Sequence, residues 1–291
     1  MKRALATLFL LACVGAQLSA GSGESPAVDE AALPRILSRL DGIARRYRDE
    51  ALRFTCEEKI IHSRPDRPSR FFSFEYIYEF SDAAGLIDYR VDTRVPHRGG
   101  KLPARARLSD YELPYYLTRG YSWVFLFDQA HQPRHRYSMG NQTSILGRAA
   151  LPISFEPVPP IESDFNDWSG TLWVDIDSLL PLRVEAMKLV EREKEQAFQA
   201  ALASTDPIRG AVRDGWIYAR VATEFTYEVN AMRFPGKVTL TGTHGKIRIR
   251  KGKRVPDERT LFTVTQLYSD YRFFGVKTEE AIRTQDRETR D

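Results

Sequence analysis

Few residues in this 291-residue chain stand at spacings that do chemistry. His131 and His135 are four apart, a separation that puts two imidazoles on one helix face and can seat a metal ion. Pro133 between them disfavours an unbroken helix, and no third ligand follows at a suitable spacing. The pair is therefore expected to be solvated loop histidines. Asp164, Asp167, Asp175 and Asp177 cluster, but without a turn glycine and a distal Glu they do not make a calcium loop. Cys56 sits in a strand-like run with no partnered His in a motif, so it reads as a small buried hydrophobe and not a nucleophile. There is no Gly-x-Ser-x-Gly, no His-Glu-x-x-His, no phosphate-cradling glycine loop and no paired-Cys metal site. A hydrolase would have to use residues such as His131, His135 or Asp175. No catalytic residue, metal ligand or cofactor is assigned, and a non-enzyme is expected.

Binding chemistry is easier to read than reaction chemistry. In Phe71 to Phe80, Phe72, Phe74, Tyr76, Tyr78 and Phe80 fall on one strand face, against Ser73, Glu75, Ile77 and Glu79. Tyr121, Trp123, Phe125 and Phe127 repeat the alternation on a later expected strand. Such rows bury a large area, at about 25 cal/mol per Å² of apolar surface. They form either an ordinary aromatic core or the lining of a concave cavity for a lipid or acyl chain. Lys246, Arg248, Arg250, Lys251, Lys253 and Arg254 make one basic cluster near Gly252. It reads as a solvated hairpin tip, with contact to anionic membrane headgroups as the alternative.

The elements that must position these residues follow from composition and periodicity. Hydrophobic residues at 42% and charged residues at 28% are globular values. Lys2 and Arg3, then the apolar run Leu5 to Val14, then Leu18-Ser19-Ala20, have the order of a signal peptide, and the run is too short to span a bilayer. Export is expected, to the periplasm. Leu10-Leu11-Ala12-Cys13 is similar to a lipobox, which gives a lipid anchor at Cys13 as the minor alternative. Removal of residues 1–20 leaves Cys56 as the one cysteine, so the fold must rest on its core without an intramolecular disulfide. Removal also lowers the net charge from +4 by the two charges of Lys2 and Arg3. A near-neutral exported chain gives no argument for nucleic acid.

In chain order, residues 21–28 are a flexible leader. Asp29 to Leu52 carries Leu33, Ile36, Leu37, Leu40, Ile43, Ala44 and Tyr47 at helical spacing, with Pro34 in the first turn. Phe54 to His62 predicts a strand, and Ile87 to Val95 a half-buried one with Asp88, Arg90, Asp92 and Arg94 outward. Pro96 to Arg107 reads as a loop. Ser109 to Glu112 has capping-box spacing for a short helix from Asp110 to Arg119. Leu151 to Asp167, with four prolines, is expected to be a crossing loop. Gly170 to Glu185 alternates on both sides of a turn from Asp177 to Pro181, which predicts an antiparallel hairpin. Val190 to Ala203 has helical composition and few apolar anchors, predicting a solvent-facing insert. Trp216 to Val229 predicts one very long strand. Val238 and Leu240 against Ile247 and Ile249 predict a change of parity at Gly242 or Gly245. Thr260 to Val276 is a strand pair or one bent strand. The expected domains are 1–20 signal peptide, 21–28 leader, 29–276 a single β domain with a helical insert at 190–215, and 277–291 a polar tail.

An exported chain with an amphipathic N-terminal helix, long antiparallel strands, and Ser169-Gly-Thr-Leu-Trp-Val-Asp175 followed by Pro181-Leu-Arg-Val-Glu185 resembles the outer-membrane lipoprotein-sorting (LolA/LolB/RseB-like) superfamily. The resemblance covers Ala31 to Val276 in architecture and Gly170 to Glu185 in motif. It implies a mainly β (α+β) fold: a strongly curved antiparallel sheet, or open half-barrel, with the helix packed on its concave side. It also implies an apolar cavity that accepts acyl chains. The expected function is thus a periplasmic, non-catalytic binding module for lipid, acyl chain or lipoprotein, acting as carrier or sensor, and a monomer is expected. The alternatives are an envelope interaction protein with a filled core, and a hydrolase. No ligand-contacting residue is carried over from the family.

Overall fold

The computed structural model describes residues 30–50, 53–81, 85–93, 105–106, 111–113, 120, 122–161, 167–204 and 215–274. The expected signal peptide with Cys13, the expected leader, Tyr121, Asp164, the expected helix beyond Leu113 and the expected polar tail lie outside these residues.

The amphipathic stripe forms helix α1 (Leu33–Glu50), preceded by a single 3-10 turn, Glu30–Ala32. Fourteen strands follow: β1 (Arg53–Arg64), β2 (Arg67–Ser81), β3 (Gly85–Asp92), β4 (Arg105–Ala106), β5 (His135–Met139), β6 (Thr143–Ile145), β7 (Arg148–Pro157), β8 (Trp168–Asp175), β9 (Pro181–Lys188), β10 (Trp216–Glu224), β11 (Tyr227–Val229), β12 (Met232–Phe234), β13 (Lys237–Arg250) and β14 (Lys253–Phe273). Helix α2 (Leu189–Ala203) lies between β9 and β10. Twelve strands form one antiparallel sheet in the order β4-β3-β2-β1-β14-β13-β10-β9-β8-β7-β5, with β6 on β7. The sheet is curved and not closed, an open half-barrel with an N-terminal helix on it.

The inner face holds the main core. Leu40, Ala44 and Tyr47 of α1 are buried against it. The helix is tied down on two sides. Tyr47 Oη donates to the Arg233 carbonyl and accepts from the Arg233 N–H at 2.9 Å, while Arg46 reaches the Asn230 carbonyl at 2.8 Å. Opposite, Arg48 pairs with Asp128 at 2.6 Å, and the Gln132 amide donates to the Leu37 carbonyl at 2.9 Å.

The β8–β9 hairpin forms as the alternation requires, with Pro181 opening the return strand. Asp175 organises its turn: one carboxylate oxygen accepts from the N–H groups of Asp177 and Ser178 and from the Ser178 hydroxyl, and the other accepts from Arg148 at 2.7 Å. Gly170 is needed because a β-carbon there would lie 2.1 Å from the Glu185 carbonyl oxygen.

Several expectations need correction. The Tyr121–Phe127 run is not a strand: Ser122–Phe127 is a 3-10 helix, buried on every side and packed against α1. Arg90 and Asp92 point inward and are buried, not solvated. Arg105–Ala106, expected in a loop, adds a short strand to β3. Leu151 to Pro157 is strand, not loop. Pro152 is tolerated there because its carbonyl accepts from Gly140 at the break between β5 and β6, so its missing N–H removes no bond to β8. The long strand from Trp216 stops at Glu224, after which β11 and β12 form a separate hairpin. Strand β13 keeps its register with β10 throughout, so its parity does not flip. Instead Ile247 packs on the opposite sheet face, under α2, and the register shift falls where β13 meets β14 at Gly242. Helix α2 is docked and not free: Phe198 is fully buried with Met187, Trp216 and Tyr218. Its C-terminal end is held by Arg254, which donates to the Ala201 carbonyl.

Candidate functional site

Alternation sends the even-numbered residues from Phe54 to His62 of β1 and from Phe72 to Tyr78 of β2 inward. Phe72, Phe74, Tyr76 and Tyr78 make an aromatic row on β2, exposed by 0–7%. Phe54 of β1 stacks on Tyr78 at 5.3 Å between centroids, and Phe72 and Phe74 each meet the Tyr111 ring edge-on. Phe80 belongs to the same strand, but its side chain is outside the description. Trp123, Phe125 and Phe127 join the same core from the 3-10 helix. Trp123 is fixed by its indole N–H to the Thr223 hydroxyl at 2.9 Å and by an edge-on contact with Trp168.

At the centre of the aromatic row lies a charge pair. Glu58 occupies an inward position on β1 and is fully buried. Arg90 grips it with two guanidinium donors, Nε to one oxygen and Nη2 to the other at 2.9 Å. Gln266 of β14 donates to the same carboxylate at 2.7 Å. The guanidinium also lies over the Tyr76 ring, 4.7 Å from its centroid. Burial works against the Arg90 charge, but Glu58 more than offsets it and the pKa is raised. Burial, then Glu58, pushes the Cys56 thiol up, so it stays protonated and is no nucleophile. Tyr268 is raised by the same two causes. Beyond the pair, Tyr111 donates to Asp92 at 2.8 Å.

The same face ends at the β1–β2 turn in a cavity of about 350 Å³ lined by His62, Arg64, Arg67, Arg70 and Glu112 among others. Arg70 stands over the Phe72 ring at 5.1 Å and pairs with Glu112 at 3.0 Å. Burial, then Arg64, lowers the His62 pKa, so the ring is neutral at pH 7. An apolar floor, a buried ion pair and a basic mouth thus lie along one sheet face. Sequence periodicity found the floor. It missed Glu58 and Arg90, although Glu58 falls in phase with Phe54, Cys56 and Ile60.

The residues considered for catalysis are accounted for structurally. His131 Nδ1 lies 2.6 Å from Asp128, whose pKa is lowered: burial opposes, and the bonds from His131 outweigh it. His135 is not the solvated loop residue expected: it starts β5 and is buried, with its Nδ1 3.3 Å from the His131 carbonyl. Asp175 serves the hairpin turn. Among the described residues no group of three His, Cys, Asp or Glu side chains converges to hold a metal. In the basic cluster, Arg248 is paired with Asp257 at 2.7 Å and Arg254 caps α2, while Arg250, Lys251 and Lys253 are exposed beside Ile249.

No family model matches this sequence, and no curated protein matches it. Solved structures do, among them members of the superfamily that the hairpin motif resembles. The chain is similar to a LolA superfamily protein from Nitrosomonas europaea, at 12% identity and a TM-score of 0.39, over 84% of this chain and 94% of that one. It is similar to an outer membrane lipoprotein-sorting protein domain from Vibrio parahaemolyticus, at 12% identity and 0.42, over 81% and 91%. A DUF1329 family protein from Desulfovibrio piger matches at 12% and 0.45, over 84% and 92%. The likeness is one of fold.

Proposed function

We propose that this protein is an exported, non-catalytic binding module for an amphiphile: a lipid, an acyl chain or the acyl chains of a lipoprotein. It works in the periplasm as a carrier or sensor. The observation behind this reading is the buried Arg90–Glu58 pair set within the aromatic row. A core meant only to be stable gains little from such a pair, because apolar residues of similar volume are commonly neutral or better there. An amphiphile needs this combination: rings for its tail and a guanidinium or arginine-lined mouth for its head. The guest lies along Phe72, Phe74, Tyr76 and Tyr78, with Trp123, Phe125 and Phe127 opposite; Phe80 and Tyr121 belong to the same proposed set by sequence alternation alone. Helix α1 and the 3-10 helix cover the face and move to admit it. The exposed tip Arg250, Lys251 and Lys253, with the exposed Ile249 beside them, touches anionic headgroups at the membrane surface.

A second reading has one observation in its favour. The described aromatics touch one another and are almost wholly shielded, as in a filled core. The two readings separate on displacement of an apolar fluorescent probe, N-phenyl-1-naphthylamine, by palmitate and by lysophospholipid. Amphiphile binding predicts uptake of the probe and its competitive release. A chain that never takes up the probe, with or without mild warming, is an interaction protein with a filled core.

A further inference from the structure

The opposite face of the sheet carries a separate groove. Where β5, β7 and β8 lie side by side, the outward residues are small and hydroxylic. Ser138 is paired in register with Ser154, and Ser154 with Thr171. Ser169 precedes Thr171 on the same face of β8. Longer side chains surround this floor: Trp173 at one side, and Arg192 and Glu195 of α2 at the other. Short residues between tall ones leave a depression of about 660 Å³, within the range of about 300–1,000 Å³ usual for small-molecule sites. It shares no wall with the aromatic row of β2, which faces the other way.

The groups in this groove define what fits. Ser154 and Thr171 hydroxyls lie 3.2 Å apart, each with capacity for another hydrogen bond. Ser169 is 3% exposed, and its hydroxyl has no hydrogen-bond partner among the described residues. A buried hydroxyl without a partner is costly, and a ligand group that meets it is favoured. Most of the charges are already matched: Arg192 with Glu156 at 3.0 Å, Arg220 with Glu195 at 2.8 Å, and Arg183 with Glu185 at 2.5 Å, while Arg136 is an exposed cation of the same lining. A strongly charged ligand would have to break these pairs. A purely apolar one would strand the hydroxyls. A ligand with many hydroxyls and one apolar ring face satisfies both: it exchanges hydrogen bonds with serines and paired carboxylates and lays its C–H face on an indole.

We propose that the outward groove beneath α2 binds a neutral saccharide, with Ser169, Ser154 and Thr171 as its floor and Trp173 as its stacking wall. The site is independent of the amphiphile face. Tryptophan fluorescence of the full mature chain is titrated with maltotriose, chitotriose and cellotriose up to about 10 mM, ten times the concentration that half-fills a millimolar site. At least one is expected to shift the emission saturably. Ser138→Trp, at an exposed position, fills the groove without touching the core and should abolish the response. Ser169→Ala, close in volume but without the hydroxyl, should weaken it about ten-fold, the effect of about 1.4 kcal/mol. Circular dichroism verifies that both variants fold. No response to any of the three sugars overturns the proposal, as does a response that both variants retain. Uptake of N-phenyl-1-naphthylamine should be unchanged in Ser138→Trp; loss of both responses together would refute the independence of the two faces.

Discussion

The Arg90–Glu58 pair gives the sharpest quantitative prediction. Removing the guanidinium, as in Arg90→Met, leaves a carboxylate at 0% exposure with only the neutral donors Gln266 and Tyr268 beside it. Breaking a buried pair from one side costs about 3–5 kcal/mol. Replacing both partners, Glu58→Leu with Arg90→Met, removes the charges together and should leave stability within about 1 kcal/mol of wild type, or raise it by up to about 4 kcal/mol. Urea unfolding of the four chains closes the cycle, and the expected coupling between the sites is about 3 kcal/mol or more. If the pair is kept for binding, the doubly apolar chain should be stable yet lose affinity for lysophospholipid. An Arg90→Met variant within about 1 kcal/mol of wild type would refute the burial argument. A double variant that binds as well as wild type would refute the functional one.

Further outcomes follow from the hairpin and the outer helix. Asp175 is held down to a pKa of about 2: burial opposes its charge, but the Ser178 N–H and Arg148 outweigh it. Its folded-state pKa is below the unfolded value of 3.8, so its contribution is present above about pH 4 and is lost as pH falls towards 2. Asp175→Asn should remove that pH dependence, measured as the urea midpoint between pH 5 and 2.5. Gly170→Ala should destabilise by about 1–3 kcal/mol, because its β-carbon meets the Glu185 carbonyl and forces β8 from β9; an unchanged melting temperature contradicts this. Phe198→Ala removes the one fully buried anchor of α2. Amide exchange in α2 should then quicken by orders of magnitude while β13 and β14 stay protected.

How far the sequence could be read depended on where each residue's partners lie. The β8–β9 hairpin and α1 were legible because their periodicity is local and one-sided. The Ser122–Phe127 run was misread because all six residues are buried, and a segment apolar on every side has no period to separate strand from helix. Arg90 and Asp92 looked solvated because charge at alternate positions usually means water. Their partners lie on other elements, and only register brings Arg90 beside Tyr76 and so near Glu58. The phase of Glu58 within β1 was the available signal, since a carboxylate in an apolar row demands a cation in phase next door. Val190 to Ala203 was read as solvent-facing because one residue, Phe198, anchors it, and one residue makes no stripe. The outward groove needed three strands in register before its hydroxyls came together.

The most direct test of an amphiphile-binding inner face is native mass spectrometry of protein purified from envelope fractions under mild conditions, with the mature N-terminal mass read from the same sample. The account predicts a chain processed after Ala20 that carries a lipid or acyl adduct, and loss of that adduct in the Glu58→Leu, Arg90→Met chain. A folded wild-type chain that is consistently empty, and stays empty after incubation with palmitate and lysophospholipid, would contradict it.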